Sequence, residues 1–255
     1  MNATLGFALV LTLSGPALAS DLVVTREKHT DAATIMGQAQ PAQDSTEVMW
    51  IGKDHMRVEE GTKVTIVRND LKKMYILDTE AKTSTTLDLP MDLAKYMPAE
   101  VAPRMKEMMD QMKVTVTPTT ETKKVKDWNA TRYTMTMTLP MGASMTQETW
   151  VTKEIGGDQA GWQDMLGAMM SANPAGAGMA AEMKKLEGFP VLTERTQTMM
   201  STEIKSREAV VSVEHKEPAA GFYDVPAGYT EKAFDPMGQM GPPRRGAPGR
   251  KGRGE

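Results

Sequence analysis

Methionine is the residue type whose number and spacing could support chemistry in this sequence. The chain has 24 methionines, more than its 4 Trp, 5 Tyr and 4 Phe side chains together. Two groups have the i, i+3, i+4, i+7 spacing that places side chains on one face of a helix; they are Met105, Met108, Met109 and Met112, and then Trp162, Met165, Leu166, Met169 and Met170. Because methionine is flexible and polarizable, such faces adapt to varied apolar partners. We therefore predict that these nine side chains bind a hydrophobic or lipid-like ligand.

Other roles are open to the same methionines. The spacing is also typical of helices that pack onto a sheet, and a core filled in this way would indicate a structural or stress-related envelope protein. Thioethers bind Cu(I), and Met108–Met109 and Met169–Met170 would permit a copper-binding protein. Consecutive helical residues point about 100° apart, however, so one pair alone does not converge on an ion. The histidines are scattered, at His29, His55 and His215, so we assign no metal site and no cofactor. Exposed methionines would also react with oxidants to form sulfoxides.

The sequence lacks the motifs of common catalytic sites. It contains no Gly-x-Ser-x-Gly turn, no phosphate-binding loop and no His-Glu-x-x-His run. It also contains no cysteine, which excludes disulfides, thiolate metal ligands and a cysteine nucleophile. We therefore predict a binding protein and not an enzyme.

The two ends of the chain differ in composition from the middle. Residues 1–19 carry no charged side chain, have a short apolar stretch and end in Ala17-Leu18-Ala19, which predicts a cleaved signal peptide and a periplasmic protein. Residues 235–255 are rich in Gly, Pro and basic residues, which predicts a disordered tail. Such a tail could contact an anionic membrane surface. Since no aromatic residue lies among its charges, nucleic acid is not a predicted partner. Residues 20–234 remain as one domain.

The elements that must position the methionines are mostly strands. Short β-branched runs separated by turn residues predict an antiparallel meander and a closing hairpin; the runs are 47–51, 56–59, 64–67, 74–77 and 83–89, and then 191–199 and 203–214. Pro103 suits the first position of a helix over 104–113, a second helix is predicted around 162–170, and 173–178 is predicted to be a linker. The predicted fold class is α+β, with a curved antiparallel sheet (an open half-barrel) whose concave face is covered by helices.

Four segments resemble a family of exported bacterial proteins that is described only as a domain of unknown function. They are Tyr75-Ile76-Leu77-Asp78 with its return to Leu87, Glu148-Thr149-Trp150-Val151, Gly188-Phe189-Pro190-Val191, and Phe222-Tyr223-Asp224-Val225-Pro226-Ala227-Gly228-Tyr229. That family is similar in layout to the LolA/LolB-like periplasmic carriers and receptors of outer-membrane lipoproteins. The resemblance implies a strongly curved open sheet, helices on its concave face, an apolar cavity between them and a carrier role.

Overall fold

The protein is built on one large sheet. The computed structural model describes residues 20–35, 37–138, 144–156, 163, 167, 174–199 and 202–235. Its strands are β1 (Asp21–Thr30), β2 (Ala33–Ile35), β3 (Gln38–Gln40), β4 (Gln43–Ile51), β5 (His55–Glu60), β6 (Lys63–Arg68), β7 (Lys73–Asp78), β8 (Thr83–Asp88), β9 (Lys113–Val125), β10 (Trp128–Thr138), β11 (Ser144–Thr152), β12 (Phe189–Met199), β13 (Thr202–Lys216) and β14 (Thr230–Glu231). The helices are a 3-10 helix (Leu93–Tyr96), α1 (Ala102–Asp110) and α2 (Pro174–Met183).

Strand β1 lies in the middle of the sheet and joins its two halves. The order is β14-β8-β7-β6-β5-β4-β1-β13-β12-β11-β10-β9, while β2 and β3 form a separate pair. All neighbours are antiparallel except β14 and β8. The chain runs outward from β4 to β8, crosses to the far edge at β9, and returns strand by strand to β13. The connection between β8 and β9 contains the 3-10 helix and α1.

The hairpins predicted between β4 and β8, and between β12 and β13, are confirmed by their registers. Their turns are short because the strands pair locally: Glu60 pairs with Lys63, which leaves two residues in the turn, and Gly61 takes a φ of 57° there. That left-handed conformation costs glycine little. Two of the expected boundaries are wrong. The predicted linker at 173–178 begins α2, with Pro174 as its first residue, and the helix expected over 104–113 ends at Asp110.

The predicted α+β fold class, with helices covering the concave face, is wrong. Among the described residues, 59% lie in strands and 9% in helices, the α-helices α1 and α2 are short, and the twelve-stranded sheet is mixed and open. The physical reason is that strand side chains, together with the irregular chain after β8, supply most of the buried apolar surface. Leu89, Met91 and Tyr96 of that connection pack against the main core. No helix among the described residues is long and apolar enough to cross a membrane.

Most of the main core lies on the face of the sheet that includes Leu22 and Val24 of β1, whereas Trp150 and Leu192 pair with each other on the opposite face. Its members come from β1, β4 to β8 and β10 to β13, and the least exposed are Val24, Val67, Leu87 and Val191. Residues directly opposite one another in neighbouring strands point to the same face, and the registers Val24–Met49 and Val67–Met74 place these side chains together. The same face carries the candidate site where the strands continue away from the core.

A second apolar cluster covers the other face of β6 and β7. Val64, Ile66 and Leu77 pack there against Tyr223, with Phe222 at the edge. The segment after β13 therefore folds back over this face. Arg57 fixes it, because its guanidinium donates a 3.0 Å hydrogen bond to the Phe222 carbonyl and lies 4.5 Å from the centre of the Phe222 ring.

Candidate binding site

A pocket of about 280 Å³ lies between the α2 region and strands β1, β11, β12 and β13. Its helix side includes the apolar side chains of Ala180, Met183 and Leu186, together with Gln163, Gly167 and Lys184. Its sheet side is polar and is formed by Arg26, Gln147, Thr149, Thr193, Arg195 and Glu208. The pocket therefore offers apolar surface on one wall and hydrogen-bonding groups on the other.

Helix α2 is held over the sheet by apolar packing and by one polar contact. Leu186 is buried against Val116, Tyr133 and Met135, and Met183 packs against the same cluster. The Glu182 carboxylate accepts a 2.8 Å hydrogen bond from the Val116 backbone N–H. Because β9 is the edge strand, this contact satisfies one of its open backbone donors and fixes the helix to the edge.

Gly188 brings the chain after α2 down onto the sheet. Its φ is 140°, and a Cβ atom at this position would lie 2.4 Å from the Thr152 carbonyl oxygen. Only glycine allows both that backbone conformation and that approach. Gly188 and Pro190 both line the pocket, so this close contact sets the pocket's boundary at β12.

The polar side chains of the sheet side are placed by strand register. Thr149 pairs with Thr193, and Gln147 pairs with Arg195, so all four point to one face. Arg195 donates from Nε to Gln147 Oε1 at 3.2 Å, and Gln147 donates from Nε2 to Thr149 Oγ1 at 2.9 Å. Since Gln147 and Thr149 are buried, this chain of hydrogen bonds fixes the position of the Arg195 guanidinium.

A row of alternating charges continues this polar surface across the sheet. We call six residues of this surface the charge row: Glu60, Lys28, Glu47, Arg26, Glu208 and Arg195. Arg26 donates from Nε to Glu47 Oε1 at 2.8 Å and makes a second, shorter contact from Nη2. Lys28 lies 2.8 Å from Glu60 and 3.6 Å from Glu47. Three cations and three anions alternate, so the row compensates its own charge.

Glu208 is the member of the charge row with the loosest partners. Its two carboxylate oxygens lie 3.7 Å from Arg26 Nη1 and 3.7 Å from Arg195 Nη2. These separations allow electrostatic attraction but are too long for hydrogen bonds. Glu208 therefore holds the two guanidiniums near one another without using their hydrogen-bonding capacity.

Two members of the row titrate away from their ordinary ranges. Burial lowers the pKa of Lys28, but the hydrogen bond to Glu60 and the charges of Glu47 and Glu208 outweigh burial, so its pKa is raised. Burial raises the pKa of Glu60, but hydrogen bonds from Lys28 and Ser45 outweigh burial, so its pKa is lowered. Both shifts favour the charged pair in the folded protein.

The predicted methionine site is only partly within the described structure. Met105, Met108 and Met109 lie in α1, but their side chains are outside what the structure describes. Met112 follows α1 and is half-buried. Trp162, Met165, Leu166, Met169 and Met170 lie outside the described residues; Gln163 and Gly167, which alternate with them in sequence, line the pocket. The nine-residue site stays a prediction.

Sequence reasoning missed the charged side of the pocket. A signal was present in the strand periodicity, because Arg26 and Lys28 continue the face begun by Leu22 and Val24, and residues two apart point the same way. The methionine spacing instead indicated that the binding surface lies on the helices. Within the described residues, no three His, Asp or Glu side chains come together as a metal site, and the copper alternative stays a hypothesis.

A second polar cluster joins the start of β1 to the segment after β13. We call four of its residues the Tyr223 cluster: Asp21, Asp54, His55 and Tyr223. The Tyr223 hydroxyl donates a short hydrogen bond to the Asp21 carboxylate, and burial followed by this hydrogen bond raises the pKa of Tyr223. The His55 ring lies 4.1 Å from the Tyr223 ring and contacts both aspartates. A Cβ atom at Gly52 would lie 2.1 Å from the His55 ring, so any other residue here would displace the His55 side chain.

The chain matches a family model over residues 33–229. The model is that of a domain of unknown function, DUF4412. This chain belongs to the DUF4412 family. The matched region of this DUF4412 protein contains α2, Glu47, Arg195 and Glu208, and it begins after β1, which supplies Arg26. No curated protein matches the sequence. The carrier role that the LolA/LolB-like resemblance implies stays a prediction, whereas the helix-covered concave face that it also implies is wrong.

Proposed function

We propose that this DUF4412 protein is an exported, non-enzymatic binding protein that holds a hydrophobic or lipid-like ligand, as a lipid or lipoprotein carrier does. The observation that carries the proposal is the pocket beneath α2, with its apolar helix side. Burying an acyl chain contributes about 0.8 kcal/mol for each CH₂ group. A pocket that covers part of a chain therefore supports reversible binding, as a carrier needs, and not permanent anchoring.

A space-filling substitution tests whether this pocket is the binding site. Gly167 lines the pocket, and a Cβ atom there would meet no described atom within 4 Å. We expect the Gly167→Phe side chain to take up part of the pocket volume. Gly178 is the matched control, because it is exposed, lies in α2 and is likewise open among the described atoms.

The assay is a titration of the mature chain with a fluorescent fatty acid. We expect the wild type and Gly178→Phe to bind, and Gly167→Phe to bind at least about tenfold more weakly because the aromatic ring occupies the ligand's volume. Equal binding by both variants would place the ligand elsewhere. A flat titration for the wild type, with no lipid seen by native mass spectrometry, would leave the filled-core structural protein as the better account.

The proposed localisation has its own test. We expect the protein purified from the periplasm to begin at Ser20, because the signal peptidase should cleave after Ala19. Intact mass measurement would contradict this if the protein kept residues 1–19. The proposed membrane contact of 235–255 predicts that deleting this tail weakens sedimentation with anionic vesicles and leaves the behaviour with neutral vesicles unchanged.

A further inference from the structure

The polar wall of the pocket indicates which chemical groups a ligand would need in order to bind there. Two basic side chains line it, Arg26 and Arg195, and the carboxylate of Glu208 lies between them. Arg26 is already engaged by the buried Glu47. Arg195 is paired more loosely, at 3.7 Å from Glu208, so its charge and its N–H donors are the most directly available to a ligand.

Arg195 is both fixed and incompletely used. Its Nε is bound to Gln147, and one terminal nitrogen lies 3.7 Å from Glu208. A guanidinium has five N–H donors, and within the described residues the terminal nitrogens of Arg195 donate no hydrogen bond. Its side chain is 34% exposed and lines the pocket. It can therefore present a preorganised pair of donors to a ligand.

The hydroxyl groups of Thr149 and Thr193 line the same wall of the pocket as Arg195. Thr149 accepts a hydrogen bond from Gln147, which leaves its own proton able to donate. Thr193 pairs with Thr149 in the sheet and also lines the pocket. Together with Arg195 they form a group of donors that suits an anion with several oxygen atoms.

We propose that the pocket recognises an amphiphile with an anionic oxygen head group, a carboxylate or a phosphate, bound by Arg195 with Thr149 and Thr193. This inference rests on the proposed function, because the apolar chain would lie along Ala180, Met183 and Leu186. A cationic head group would have to pair with Glu208. That carboxylate already lies between two guanidiniums, so the surrounding field opposes a further cation.

The test compares head groups on one apolar chain. Calorimetric titration of the mature protein would use dodecanoate, dodecyl phosphate, dodecanol and dodecylamine below their aggregation concentrations, together with inorganic phosphate. We expect the two anions to bind at least about tenfold more tightly than the alcohol, because charge-assisted hydrogen bonds are stronger than neutral ones. Inorganic phosphate should bind far more weakly than dodecyl phosphate, since it lacks the chain.

Three variants distinguish recognition from a structural role. Arg195→Gln should weaken dodecanoate binding about tenfold and leave dodecanol binding unchanged, and Arg195→Lys should fall between Arg195→Gln and the wild type. Glu208→Gln should strengthen dodecanoate binding, because it removes the negative charge beside the head group. Arg207→Gln is the matched control, since Arg207 is exposed and alternates to the opposite face.

The outcomes separate the head-group proposal from the proposed function. Equal binding of dodecanoate and dodecanol would overturn the head-group proposal and leave the proposed function intact. Tighter binding of dodecylamine would also overturn it and would assign recognition to Glu208. Tight binding of inorganic phosphate alone would overturn the amphiphile and indicate a free anion. If no probe binds the wild type, the proposed function fails as well.

Discussion

The charge row offers a sharp test of how the sheet side of the pocket is held. Glu47 is 7% exposed and accepts two hydrogen bonds from Arg26, whose side chain is 21% exposed. Glu47→Leu would leave that guanidinium half-buried and without its nearest anion. Breaking a buried ion pair on one side costs about 3–5 kcal/mol, and partial exposure of Arg26 places the expected loss near the lower limit. We therefore expect the free energy of unfolding to fall by about 3 kcal/mol.

Replacing both partners should cost much less than replacing one. The double variant Arg26→Met with Glu47→Leu removes the unpaired charge, and apolar side chains of similar volume substitute well for buried ion pairs. We expect the double variant to lose about 1 kcal/mol or less, which is less than either single variant loses. Urea denaturation followed by circular dichroism measures all four proteins of the cycle.

An exposed ion pair provides the control for this cycle. Lys153 and Glu187 lie 2.7 Å apart, but their side chains are 69% and 68% exposed. Glu187→Leu should therefore have little effect on the free energy of unfolding. The reasoning would be refuted if Glu47→Leu were as mild as Glu187→Leu, or if the double variant lost the sum of its two single losses.

Three further predictions concern the backbone, the titration of the charge row and the Tyr223 cluster. Gly188→Ala should destabilise the protein by about 2 kcal/mol or more in urea denaturation, because its Cβ would clash with the Thr152 carbonyl and its φ is positive. The control Gly156→Ala should have little effect. Equal effects of the two substitutions would show that the close approach of Gly188 to Thr152 is unimportant. The pKa of Glu60 is lowered in the folded protein, so its contribution to stability is present above the unfolded pKa and is lost as the pH falls through the folded pKa. The pKa of Lys28 is raised in the folded protein, so its contribution to stability is present below the unfolded pKa and is lost as the pH rises through the folded pKa. Glu60→Gln should therefore flatten the acidic limb of the stability–pH curve and Lys28→Met the alkaline limb, and curves parallel to the wild type would count against the pairing. Tyr223→Phe should lower the melting temperature, because the buried Asp21 carboxylate would lose its shortest hydrogen bond and keep only the 3.4 Å contact with His55. An unchanged melting temperature would argue against that hydrogen bond.

The local hairpins could be predicted from sequence because their pairing is short-range. Turns such as the one at Gly61 and the alternating residues beside them decide the register of β5 and β6 without reference to the rest of the chain. The position of β1 could not be predicted in this way. Asp21 pairs with Lys216, and no local pattern indicates which of many strands will lie beside a given one.

The predicted fold class is wrong because a helical spacing indicates that a helix forms, but not how much of the sheet the helix covers. Three of the four methionines at that spacing lie in α1, but a helix of nine residues covers little of a twelve-stranded sheet. The charged wall of the pocket was missed for a related reason. It depends on the registers that bring Arg26, Arg195 and Glu208 together from three strands, including the irregularity between Thr25 and Arg26, and none of these contacts is local in sequence.

Photo-crosslinking with a diazirine-labelled fatty acid tests the account most directly, because it reports both whether a ligand binds and where. The mature protein would be irradiated with the probe, digested, and analysed by peptide mass spectrometry, with excess unlabelled fatty acid as competitor. We expect competitor-sensitive labelling on the peptide that contains Ala180, Met183 and Leu186. Labelling confined to other surfaces, or labelling that the competitor does not reduce, would contradict a binding pocket beneath α2.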